Sequence, residues 1–160
     1  MACQRNAVTR LMEEVLTIKN ELRRFNKERA RDLESSSHFT AFPLHNVEQI
    51  NNFEEQICKE ESMQIQLKTF LKRIGGEDVA SFTRYSLKKI ITDECATYFT
   101  WTGCKEKPAI QNYTFIRIIK DTCYSLYPNT NEKQINVIMQ RHFLHAKDRM
   151  EKRKKNKNYG

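Results

Sequence analysis

Apolar residues recur at helical spacing along most of the chain, and the rhythm is most regular near its start. Val8, Leu11, Val15, Ile18, Leu22 and Phe25 fall at alternating intervals of three and four, the a and d positions of successive heptads, until Arg29 and Asp32 land on the seam and end it. The pattern predicts a coiled-coil arm over residues 1–33 that self-associates through those six side chains. The alternative is an amphipathic helix folded onto its own domain, since so short a coil is near the lower limit of independent stability. With Val8, Val15 and Leu22 at a, Glu14 at g faces Lys19 at e of a parallel partner, an attractive pair, whereas Glu21 meets the neutral Asn26. A parallel homodimer is the simplest arrangement. The serine-rich stretch 34–41 then reads as a linker.

Beyond the linker the apolar positions predict a succession of short helices. Asn46 is placed to cap the first, with Gln49 as its capping-box partner and Val47, Ile50, Phe53 and Ile57 on the inner face. A second follows Ser62, carries Met63, Leu67, Phe70, Leu71 and Ile74 inward, and stops at Gly75-Gly76. Asp78 caps a third with Val79, Phe82, Leu87, Ile90 and Ile91, and Thr92 or Asp93 opens a short fourth with Cys95, Ala96 and Phe99. The run from Thr100 to Pro108 loses the period and reads as an exposed loop. Phe115, Ile118, Ile119, Cys123 and Leu126 mark a fifth helix that ends before Pro128. Asn131 caps a last one through Ile135, Ile138, Met139 and Phe143 to about Met150.

The expected fold is therefore all-α: a compact multi-helix domain of five to six helices at 42–150, preceded by the coiled-coil helix and followed by a basic tail at 151–160. Four glycines and three prolines in 160 residues supply too few turns for an all-β alternative.

Charge sharpens the picture at one end. The chain carries a net +8, and from Lys147 to Gly160 seven basic residues stand against Asp148 and Glu151, a local +5. Such a segment attracts polyanions, although a block of like charge is also simply well solvated. Lys152-Arg153-Lys154-Lys155 is a compact run of the kind that directs nuclear import. The opening residues have no apolar run like that of a secretory signal and no window suits a membrane span, so a nuclear location is expected, with cytoplasmic as the alternative and no membrane partner. Five widely spaced cysteines suggest neither a disulfide framework nor a zinc knuckle, and reduced, mostly buried thiols are expected.

Phe42-Pro43-Leu44, Ile74-Gly75-Gly76, Tyr98-Phe99-Thr100-Trp101-Thr102-Gly103 and His145-Ala146-Lys147, taken in order, resemble the landmarks of the domain of unknown function 4806, over about Phe42 to Arg149. The second half is also similar, more loosely, to the BEN domain. There a short helix, a threonine-glycine turn, a helix ending near a proline and a final helix recur, as across Thr92 to Lys147 here. The first resemblance implies a domain boundary and a fold without a mechanism. The second implies nuclear DNA or chromatin binding through basic residues that differ between members, so no individual contact residue is transferred. Glu106, within Cys104-Lys105-Glu106-Lys107, departs from a uniformly basic loop.

From the residues themselves, the candidates for nucleic-acid contact are Lys105, Lys107, Arg141, His145, Lys147, Arg149 and Lys152, several of which fall along one side of the expected last helix. The competing account is a solvated helix end whose cations suit the C-terminal dipole. His142 and His145 share a helical face, yet no third ligand and no His-Glu-x-x-His pattern accompanies them, so neither metal nor other cofactor is expected. Cys104 lies among lysines but has no identifiable base, Glu54, Glu55, Glu60 and Glu61 read as solvated, and Gly75-Gly76 lacks the rest of a phosphate loop. Trp101 is expected to anchor the turn from the core side. The function these features suggest is non-enzymatic: a nuclear DNA- or chromatin-associated module acting in transcription regulation as a homodimer. The alternative is an adaptor that self-associates and recruits a protein partner, with the basic tail serving import alone.

Overall fold

The computed structural model describes residues 2–35 and 42–157, with side chains at 6–27 and 42–157. The chain divides into two compact units, Met1–His38 and Phe39–Gly160. The first is a single helix, α1 (Ala2–Ser35), so the arm reaches slightly beyond the expected 33. At a rise of about 1.5 Å per residue it is about 50 Å long. Its six seam residues are 53% to 69% exposed, and Met12 and Leu16, at 65% and 58%, widen the apolar face beyond a strict a/d stripe. Residues 36–41 of the expected linker, the side chain of Cys3 and the tail residues 158–160 lie outside what is described.

The second unit contains α2 (Val47–Lys59), α3 (Glu61–Ile74), α4 (Val79–Ile90), α5 (Asp93–Ala96), a 3-10 turn at Ile110–Asn112, α6 (Thr114–Leu126), α7 (Glu132–Leu144) and α8 (Ala146–Lys157). Each expected cap is in place, because a short oxygen-bearing side chain satisfies an N–H that the helix leaves free. Asn46 accepts from Gln49 N at 2.8 Å, Asp78 from Ser81 N at 2.7 Å, Thr92 from Cys95 N at 3.2 Å and Asn131 from Gln134 N at 2.9 Å. Gln49 returns the favour one residue earlier than a standard capping box, taking His45 N at 2.7 Å. Gly75 ends α3 at φ 62°, in the left-handed region.

The core is continuous. α6 packs on α2, α3 and α4, α4 on α7, and α5 on α8. Ile50, Ile57, Leu67, Leu71, Phe82, Leu87, Ile90, Phe115, Ile119 and Ile135 have no exposed surface. Two parallel bridges tie down the irregular stretches, Leu44 with Ile91 and Thr100 with Ala109.

Several expectations need correction. The last helix does not run unbroken from Asn131: His145, at φ −97° and ψ 12°, interrupts it, giving α7 and α8 and one helix more than the expected five to six. The bend lets Ala146 pack with no exposed surface and turns Arg149 inward. The segment read as a basic tail is helical over its described part, since α8 continues to Lys157. Of the four described cysteines only Cys95 and Cys123 are buried, while Cys58 and Cys104 are exposed free thiols. Glu54 is not a solvated position: its carboxylate accepts from Thr114 N and from Phe115 N at 3.4 Å, capping α6, whose own N-cap side chain makes no such bond.

Candidate nucleic-acid interface

Besides the packing of Ala146, α8 is tied to the domain by one buried carboxylate. Asp93, the first residue of α5, is 5% exposed. Its Oδ1 accepts a hydrogen bond from Arg149 Nε at 2.9 Å and lies 2.8 Å from an Arg149 terminal nitrogen, while Oδ2 makes no hydrogen bond and pairs by charge with an Arg153 terminal nitrogen 2.6 Å away. Arg149 also donates to the His142 carbonyl at 2.7 Å. Arginines at i and i+4 on α8 thus pair with a group at the start of α5, and their two positive charges offset an anion that is almost wholly removed from water. With that face turned inward, Lys147, Lys152, Lys154, Lys155 and Lys157 are left exposed on a helix whose base is fixed.

The structure distributes the sequence candidates unevenly. Lys147 and Lys152 are exposed on α8 but sit about 140° apart around its axis, so they share no single stripe. Arg149 serves the internal clamp. Arg141 is exposed at the end of α7, and His145 is exposed with Nδ1 3.2 Å from Asp148 Oδ2. Lys105 is exposed on the loop, whereas the half-buried Lys107 donates to the Thr97 carbonyl at 2.7 Å. Lys107 and Lys147 line a common cleft. The import run Lys152-Arg153-Lys154-Lys155 is helical, with Arg153 held by Asp93. Asp93 was legible only as a possible helix start, because its partners lie 56 and 60 positions away in sequence.

The remaining titratable groups fit structural roles. His142 is 5% exposed, and burial, assisted by the Arg149 guanidinium, pushes its imidazole from 6.5 down to about 4, so the ring is neutral at physiological pH. Its Nε2 has no hydrogen-bond partner. Among the described residues no three His, Cys, Asp or Glu side chains converge as metal ligands. Burial raises the thiol of Cys95 to about 11 and that of Cys123 in the same direction, which disfavours the reactive thiolate. Trp101, 8% exposed, anchors the loop as expected, with Lys120 Nζ 5.2 Å from its ring centre. No described helix is long and apolar enough to cross a membrane.

The fold and this surface define an all-helical module with a basic terminal helix. The family model described as "Domain of unknown function (DUF4806)" matches residues 36–122, more than half of the chain, and the protein belongs to that family. The matched segment stops within α6, short of the Arg149 expected from the sequence landmarks, so α7 and α8 lie beyond it. No curated protein and no solved structure matches the chain.

Proposed function

We propose that this protein is a non-enzymatic nuclear module that binds DNA or chromatin through α8, self-associates through α1, and acts in transcription regulation. The observation that carries this reading is the Asp93 clamp. It spends two arginines on the fold and leaves five lysines displayed on an ordered helix. An ordered cationic helix loses less conformational freedom on meeting a phosphate backbone than a free tail does. The exposed seam of α1 supports pairing, and pairing brings two copies of α8 to one duplex, converting weak contacts into avid ones. The loose sequence resemblance of residues 92–147 to BEN domains points the same way as an analogy alone.

The test is binding of a mixed-sequence duplex by the full chain and by Lys152→Glu/Lys154→Glu/Lys155→Glu, followed over a range of salt. Counterion release requires that affinity fall steeply with salt and that the variant lose both affinity and slope. A truncation at Asp148 is a poorer test, because it removes Arg149 and Arg153 and with them the clamp. The second reading, a self-associating adaptor that recruits a protein, is favoured by one observation: the cleft beside Trp101 is lined mainly by apolar surface.

A further inference from the structure

Between the loop that follows α5 and the end of α7 lies a cleft of about 340 Å³. Its floor is made by Phe99, Trp101 and Phe143, which are 2%, 8% and 5% exposed. Leu144 stands on the rim, 69% exposed, and carries apolar surface outward from the floor. Lys107 and Lys147 flank the opening, and no carboxylate is among the residues that line it. The Lys107 ammonium is held by the Thr97 carbonyl at 2.7 Å, so one of the two charges sits at a fixed place before any ligand arrives.

We infer that this cleft docks a short acidic peptide segment through an aliphatic or aromatic anchor residue. The anchor enters over Phe99, Trp101 and Phe143 and covers Leu144, while flanking aspartates or glutamates meet Lys107 and Lys147. Charge complementarity selects the partner: a pocket bounded by two ammonium groups and no anion repels basic segments and attracts acidic ones. The volume, at the lower end of the range of about 300–1,000 Å³ for ligand pockets, suits individual side chains rather than a whole helix. Single-stranded nucleic acid is disfavoured by the aromatic geometry. Base stacking needs an open ring face, and the Phe99 and Trp101 rings are almost wholly buried. The cleft shares Lys147 with α8 but does not require α8 to bind a duplex.

The experiment titrates the full chain into a labelled peptide pool with Leu, Phe or Trp at a central position and mixtures of Asp and Glu on both sides, read by fluorescence polarisation. One comparison pool carries Asn at the centre and another carries Asn and Gln in place of the acids. Saturable binding of the first pool, weakened by about tenfold in either comparison pool, is the expected result, equivalent to about 1.4 kcal/mol. Leu144→Asn and Lys147→Glu should each weaken it comparably, whereas Lys133→Glu, at the opposite end of α7, should leave it within about twofold of the parent. Failure of the pool to bind overturns the inference, and so does equal binding of the Asn-centred pool, which means diffuse electrostatics. If Leu144→Asn weakens duplex DNA binding as much as peptide binding, the cleft is a nucleic-acid contact and the inference is likewise wrong.

Discussion

Replacing Asp93 by Ala tests how α8 is held. The substitution removes a carboxylate that is 5% exposed and leaves Arg149 and Arg153 without their partner. Breaking a buried ion pair by deleting one side costs about 3–5 kcal/mol when the surviving charge is stranded away from water. Here the survivors are partly wet, with side-chain exposures of 25% for Arg149 and 63% for Arg153, so they recover hydration and the loss falls to about 2–3 kcal/mol. For a domain of this size that corresponds to a fall in Tm of about 8–12 °C. The single tryptophan, Trp101, reports specifically on the folded domain, so urea unfolding followed by its fluorescence separates this effect from fraying of α1. Arg149→Ala and the double substitution complete a cycle, and the pair should show a coupling of at least about 1 kcal/mol. Stability of Asp93→Ala within about 0.5 kcal/mol of the parent, or strictly additive effects, would refute the reasoning.

Three further expectations follow from particular side chains. Because the folded-state pKa of His142 lies below its unfolded value, the unfolded chain binds the proton first; stability is intact above about pH 6.5 and declines as pH falls toward 4. His142→Asn should therefore show less acid sensitivity over that window, by up to about 3 kcal/mol at pH 4, and a parent and variant that lose stability in parallel would contradict the assignment. At Gly76 an added Cβ would lie 2.5 Å from the Phe82 backbone nitrogen, whereas at Gly75 it meets nothing within 4 Å. Gly76→Ala should cost about 3 kcal/mol or more by urea unfolding and Gly75→Ala about 1–3 kcal/mol, from a backbone at φ 62° and ψ −167° that residues with a side chain rarely adopt; the reverse order would be inconsistent with this packing. Leu22→Asp, on the exposed seam of α1, should lower the sedimenting mass without changing the urea midpoint of the Trp101 signal, and an unchanged mass would remove the seam from self-association.

The elements that the sequence made legible are those governed by local chemistry. Asn46, Asp78, Thr92 and Asn131 each sit one turn from the amide they cap, and Gly75 ends α3 through its own backbone freedom. Apolar spacing likewise pointed to the core faces of α2, α4 and α6. The break at His145 was illegible because no glycine or proline marks it. Tertiary contacts cause it, through Ala146 packing into the core and Arg149 reaching Asp93. The roles of Glu54 and Asp93 are invisible to local pattern for the same reason, since their partners, Thr114 and Arg149, lie 60 and 56 residues away. A run of lysines and arginines announces a cationic surface, but only the fold tells which of its members are already spent on the protein itself.

Fluorescence-anisotropy titration of a mixed-sequence duplex with the full chain and with Lys152→Glu/Lys154→Glu/Lys155→Glu, at about 50 and 200 mM salt, decides whether α8 binds DNA. If paired α8 helices make about five phosphate contacts, the parent should lose about 10²–10³ in affinity between those conditions. The charge-reversed chain should bind far more weakly at the lower salt. Parent affinity that is absent, indifferent to salt, or equal to that of the variant would contradict the account and leave protein recruitment as the reading to pursue.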